Sequence, residues 1–326
     1  MTSVNIGIIG LGNWGNKLAA SLKNIAEANL VSCYARTKNK REDFANKYSC
    51  EAKDTIADFL NDKRLDGVLI ATPHSSHVEM ITTVAKSKKH IMVEKPLTLT
   101  TKDAKDCVDC ANKHGIYLQV AHYRRLLPAT RLLKKYIESD KLGHIHHFES
   151  NFSRPFGPDP NRPWRDSEEE APAGAFTALG VHMIDNLLYL GGDFQKICAL
   201  SSVLDDGTPL DDITTVMIKF TSGAHGIINT SLRLPFIASV SAHGDKASAW
   251  SNSDGSQFLT QGIDDITQKE IEVVPLDGVV ENLRNFCLSI INSNIPETSG
   301  LEGMKVVRAL EAITESVNSD NRFIDI

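Results

Sequence analysis

Val4-Asn5-Ile6-Gly7-Ile8-Ile9-Gly10-Leu11-Gly12-Asn13-Trp14-Gly15 is the stretch that decides the fold of this chain. The run Val4 to Ile9 is apolar, as a strand buried on both faces must be, and it leads straight into three glycines at the G-x-G-x-x-G spacing. A helical pattern follows. In that context the glycines play distinct parts, since Gly10 takes the tight turn, Gly12 lets the backbone approach a pyrophosphate, and Gly15 lets the new helix pack close to its strand. The helix N-terminus then faces the anion, so Asn13 and Trp14 join the glycines in a dinucleotide cradle.

Outward from this stretch, strand and helix alternate. Apolar runs fall at Leu30 to Ala35, Gly67 to Ala71, His90 to Val93 and Ile116 to Ala121, each separated by a polar stretch of helical period. This predicts an α/β fold that begins with a doubly wound parallel sheet, a Rossmann domain over residues 1–122. Ligands of such sheets bind beyond the carboxyl ends of the strands. Gly10 to Gly15, Arg36 to Lys40, Thr72 to His77, Glu94 to Pro96 and His122 to Arg125 all fall on that edge.

After residue 122 the pattern changes. A helical stretch, Pro128 to Ser139, gives way to strand-like runs at His144 to Phe152, Lys196 to Leu204, Thr214 to Phe220 and Gly226 to Leu232. Ser153 to Pro172 reads as a loop and Gly180 to Leu190 as a helix. A last amphipathic helix, Leu301 to Asn318, carries Val306, Val307, Leu310, Ile313 and Val317 at helical spacing. Residues 123–326 therefore read as a second α/β domain with a mainly antiparallel sheet, its final helix able to pack back on the first.

Composition bounds the function. The 326 residues are 41 % hydrophobic and 23 % charged, those of an ordinary globular protein, and suit two domains. A net charge of -6 offers no broad basic field for nucleic acid, and no apolar run is long enough to span a bilayer. The first strand begins at Val4, with no room before it for a signal peptide, and the six cysteines show no disulfide-rich spacing. The expected compartment is the reducing cytoplasm. Cys107 and Cys110 lie on one helical stretch without a second pair, and His144, His146 and His147 lack a carboxylate or cysteine to complete a set, so no metal site is expected.

The second strand bears on the cofactor. In NAD-binding sheets an acid about twenty residues beyond the glycines accepts the ribose 2′-hydroxyl, whereas an arginine there suits a 2′-phosphate. Here Tyr34-Ala35 is followed by Arg36-Thr37-Lys38, with no acid at that spot. Arg36 can pair with a phosphate and stack on adenine, and Thr37 and Lys38 add donors, which favours NADP over NAD.

Taken together, Gly10 to Gly15, Ala71-Thr72-Pro73 with His77, Glu94-Lys95-Pro96 and Gly180-x-His182-x-x-Asp185 resemble the glucose-fructose oxidoreductase/inositol dehydrogenase family, Gfo/Idh/MocA. The resemblance runs nearly end to end. It implies a nucleotide-binding domain followed by a domain with an open-faced sheet that forms homodimer or homotetramer contacts. It implies hydride transfer between nicotinamide and a sugar, polyol, sugar acid or related carbonyl compound. By position, Ala71, Thr72, Pro73, His77 and Glu94 would line the cofactor. Lys95 would lie by the nicotinamide and bond the reacting oxygen, where an ammonium stabilises developing negative charge.

His182 matches the general acid/base of many members. The chain departs from the pattern at Ala178, where many members carry an aspartate, and at His74, where asparagine is frequent. Asp185, three residues after His182, is a candidate orienting group and substrate contact. Tyr123, Arg124, Trp164 and Arg165 complete the expected substrate site: arginines bind carboxylate or phosphate bidentately, and a tryptophan offers a flat face to a sugar ring. The resemblance leaves a second reading, a non-catalytic NADP-binding sensor or regulatory protein of sugar metabolism, which the loss of the aspartate favours.

Overall fold

The computed structural model describes residues 2–155, 167–204 and 210–326. The chain divides into two compact units, Met1–Tyr123 with Asp277–Val307, and Arg124–Leu276 with Arg308–Ile326.

The first unit is built on β1 (Val4–Ile9), β2 (Ala28–Tyr34), β3 (Glu51–Ala52), β4 (Gly67–Ile70), β5 (His90–Val93) and β6 (Leu118–Val120). They form one sheet in the order β3-β2-β1-β4-β5-β6, every pair parallel. The order reverses between β1 and β4, and a crevice opens beyond the strand ends at such a switch point. The crossovers contain α1 (Asn13–Leu22), α2 (Lys38–Tyr48), α3 (Ile56–Leu60), α4 (His77–Lys86) and α5 (Thr101–His114).

Both faces of the central strands are covered, which is why β1, β4 and β5 read as mostly apolar runs. Leu18, Ala19 and Leu22 of α1 pack in one core with Val279, Leu283, Phe286 and Cys287 of a helix at Gly278–Asn292. Ile81, Val84 and Ala85 of α4, with Ala104, Cys107 and Ala111 of α5, fill the other. The boundary at residue 122 assigns Asp277–Val307 to the second domain; the structure places it in the first. The reason is local. Asp277 caps the helix by accepting the Val279 N–H at 2.8 Å, and Val279, Leu283, Phe286 and Cys287 share one face. Gly67 is bare where the Phe286 ring seats, since a Cβ there would lie 3.0 Å from it. Burying a ring of that size contributes about 1.5 to 3 kcal/mol.

The second unit opens with α6 (Pro128–Glu138). Its sheet contains β7 (Ile145–Ser153), β8 (Phe194–Ser202), β9 (Ile213–Phe220), β10 (His225–Ser231), β11 (Ile237–Gly244), β12 (Ala247–Asn252), β13 (Gln257–Gly262), β14 (Lys269–Ile271) and β15 (Ile324–Asp325). The order is β14-β13-β12-β11-β7-β10-β9-β8-β15, with β7 and β10 parallel and the other pairs antiparallel. Alternation shows one covered and one open face: Val216, Ile218, Phe220 and Ile228 are buried, while Met217, Lys219 and His225 are exposed. Between β7 and β8, a π-helical turn at Phe176–Gly180 runs into α7 (Val181–Gly191). Among the described residues no helix is long and apolar enough to cross a membrane.

Candidate active site

The glycine turn has the shape its spacing requires. Gly10 has φ +93°, and a Cβ on it would lie 2.6 Å from the Ala71 carbonyl carbon and 2.9 Å from the Thr72 nitrogen. The turn after β1 therefore packs directly on the turn after β4. A Cβ on Gly15 would run into the Gly10 carbonyl oxygen, so α1 can approach β1 this closely only with glycine there. Gly12 differs from both. Nothing lies within 4 Å of where its Cβ would be, and it caps α1 with no side-chain bond, leaving an open path to the helix N-terminus, where Asn13 is exposed and Trp14 half-buried. Backbone N–H groups there can hold a pyrophosphate, so the residues fit a dinucleotide.

Gly15→Ala tests this packing. The methyl meets backbone and not a flexible side chain, so the variant should lose about 1 to 3 kcal/mol of stability and bind a nicotinamide dinucleotide more weakly. Thermal melts and fluorescence titration measure both; an unshifted melt would contradict the packing.

Backbone hydrogen bonds bring the strand ends together in order. Gly10 N–H donates to Tyr34 O at 3.2 Å, Ala71 to Ile9 O at 2.8 Å, Glu94 to Ile70 O at 2.9 Å and Ala121 to Val93 O at 2.9 Å. At the β2 end, Arg36, Thr37 and Lys38 are exposed at the start of α2, whose first turn carries no acid. Lys38 lies 3.7 Å from Glu42, while the Thr37 side chain makes no cap bond. The nearby Arg41 plays another part. It is buried, pairs with Asp54 at 2.8 Å and donates to the Ala35 and Arg36 carbonyls at 3.0 and 3.3 Å, holding the turn that presents Arg36.

Glu94 and Lys95 follow β5 directly and are buried, 9 % and 6 % exposed, and the Lys95–Pro96 peptide is cis. Trp14 and Tyr123 stand at the same edge with ring centroids 6.5 Å apart. His77, expected to line the cofactor, is fully buried and faces the carbonyls of Thr72, Pro96 and Leu97. It acts on the backbone of this edge. Cys107 lies on the buried face of α5, where burial pushes its thiol up to about 12.

In the second unit His182 is buried near the start of α7, and the Phe152 ring meets it edge-on, centroids 5.8 Å apart. The Arg124 guanidinium lies 3.7 Å from the centroid of Phe152 and pairs with Asp254. Asp185 is held bidentately by Arg125, at 2.5 and 3.0 Å, with both side chains almost fully buried. An ion pair this deep needs both partners, since removing either would leave an uncompensated buried charge. Trp164 and Arg165 lie outside the described residues. The His144 and His146 rings are 5.1 Å apart, yet no three metal-ligating side chains converge among the described residues.

Two family models match the chain. The model of the oxidoreductase family, NAD-binding Rossmann fold, covers residues 4–122, and that of the GFO/IDH/MocA C-terminal domain covers 130–250. The chain belongs to the Gfo/Idh/MocA family of oxidoreductases. It is 30 % identical to levoglucosan dehydrogenase of Pseudarthrobacter phenanthrenivorans over 272 residues, 71 % of this chain and 68 % of that protein. With myo-inositol 2-dehydrogenase of Thermotoga maritima it shares 27 % over 313 residues, 92 % of each. The solved levoglucosan dehydrogenase in complex with NADH and L-sorbose superposes with a TM-score of 0.91 at 23 % identity, covering 100 % of this chain and 99 % of that one. Family membership makes this Gfo/Idh/MocA chain an oxidoreductase with an NAD(P)-binding Rossmann unit.

Proposed function

We propose that the protein is an NADP-dependent dehydrogenase or reductase of a sugar, polyol, sugar acid or related small carbonyl compound. The observation that carries the cofactor choice is Arg36, exposed at the start of a helix whose first turn has no acid. A 2′-phosphate there meets Arg36, Thr37, Lys38 and the positive end of α2, whereas a family member built for NAD would place a carboxylate there. The Gly10–Gly15 turn holds the pyrophosphate, and Ala71, Thr72, Pro73 and Glu94 form the adjoining strand-end turns. Bound NADP supplies a hydride acceptor, or NADPH a donor. Lys95 bonds the substrate oxygen and stabilises the charge it develops, and His182 takes or returns the hydroxyl proton. The substrate class rests on the dehydrogenases this chain is similar to, which are named for levoglucosan and myo-inositol. A homodimer or homotetramer contact belongs on the open face of the second sheet, where Leu200 and Met217 are 61 % and 48 % exposed.

Arg36→Asp tests the cofactor reading. Loss of a charge-assisted phosphate contact should weaken NADPH binding by about 1.5 to 3 kcal/mol while NADH binding changes little. Equal affinity of the wild type for the two nucleotides would refute the NADP preference.

A further inference from the structure

His77 is the first residue of α4 and is 0 % exposed. Its Nδ1 lies 3.0 Å from Pro96 O and 3.2 Å from Leu97 O, and its Nε2 lies 3.2 Å from Thr72 O. These carbonyls belong to the exit turns of two neighbouring parallel strands. The ladder between β4 and β5 runs to Ile70 opposite Val93, and the Glu94 N–H still donates to Ile70 O at 2.9 Å. Beyond that point the two chains leave the sheet for separate turns. One carries Thr72 and Pro73, packed beside the Gly10 turn; the other carries Lys95 and Pro96. The ring sets one nitrogen against each turn where strand pairing has stopped, donating to one turn as neutral imidazole and to both as imidazolium. Ser76 braces the same corner, its hydroxyl donating to Pro73 O at 2.6 Å and standing 2.7 Å from Thr72 Oγ1.

We propose that His77 is a positioning residue for Lys95, fixing the Lys95–Pro96 turn against the Thr72–Pro73 turn on the dinucleotide side. This rests on the role proposed above for Lys95. An ammonium that must meet one oxygen beside the nicotinamide needs its backbone held to a fraction of an ångström, and misplacement by about 1 Å can cost roughly a hundredfold in rate. Few side chains can replace the bridge. A phenylalanine fills the space but donates to neither turn, leaving buried carbonyls without that donor. A glutamine keeps an N–H donor for one of them.

The test is a set of double-mutant cycles. Wild type, His77→Phe, His77→Gln, Lys95→Met and the two double variants are compared for turnover of levoglucosan and myo-inositol with NADP, for NADPH dissociation constant and for melting temperature. His77→Phe should lower kcat by about 30- to 100-fold in the wild-type background, yet by less than about threefold where Lys95 is already methionine. NADPH affinity should stay within about threefold throughout, and His77→Gln should lose only about 3- to 10-fold, with the same dependence on Lys95. Should His77→Phe not fold, His77→Gln carries the cycle. An equal fold-loss in both backgrounds, or an NADPH affinity that falls in step with kcat, would overturn the proposal and make His77 a general structural residue. Unchanged turnover in Lys95→Met would instead overturn the role of Lys95 itself.

Discussion

Lys95→Met is expected to keep the fold and NADPH binding while lowering kcat by about a hundredfold or more. Methionine matches the length of the lysine stem and, at a position only 6 % exposed, preserves packing while deleting the charge. In the proposed role, the variant loses a cation placed in advance where negative charge would grow on oxygen as hydride leaves or arrives, the kind of contribution that single preorganised donors make to rate. The effect should therefore appear in kcat and kcat/KM together. Steady-state kinetics with NADP, alongside NADPH titration and a thermal melt, measures it. A variant with normal turnover would remove Lys95 from the chemistry.

His182→Asn should have the next largest effect, a fall of about a hundredfold or more and loss of the pH limb that its ionisation would give kcat, with NADPH binding intact. The side chain sits in a buried setting beside the Phe152 ring, on a helix that also carries Asp185. Asp185 is already matched by Arg125, so its charge is largely spent on that pair. Installing a carboxylate by Ala178→Asp brings a new negative charge into the turn before His182, which favours imidazolium and should move the limb to higher pH. pH profiles of kcat for the three proteins decide this. Full activity in His182→Asn would place the proton carrier elsewhere.

The legibility of this chain varies with what each residue does. Gly10 and Gly15 could be read because their lack of a Cβ is the message: the backbone positions they occupy exclude one. Five of the six parallel strands followed from apolar runs that a doubly covered sheet requires, while β3, only Glu51 and Ala52, has no such run to read. The helix at Gly278–Asn292 was equally available, with Asp277 as cap and Val279, Leu283, Phe286 and Cys287 in period, but nothing local says which sheet such a face will bury against. β11 to β14 are rich in serine, glycine and polar residues, so their alternation is too faint to read as strands. The site shows the same division. Lys95 and His182 carry roles through the resemblance, and their burial is a structural fact. His77 and Asp185 were also assigned through the resemblance, and what the fold adds is that His77 faces the Thr72, Pro96 and Leu97 carbonyls and that Asp185 pairs with Arg125. Residue type tells what a group can bond, and only the fold tells what it meets.

Hydride transfer from a carbinol carbon to NADP is read by isotope transfer. Wild-type protein is incubated with NADP or NAD and with levoglucosan, myo-inositol and other sugars and polyols carrying deuterium on the carbinol carbon, and the reduced nucleotide is weighed by mass spectrometry. At least one compound should deliver deuterium to the nicotinamide, faster with NADP than with NAD, and Lys95→Met should abolish most of the transfer. Tight NADPH binding with no deuterium transferred from any compound would contradict hydride transfer and make the protein a nucleotide-binding sensor.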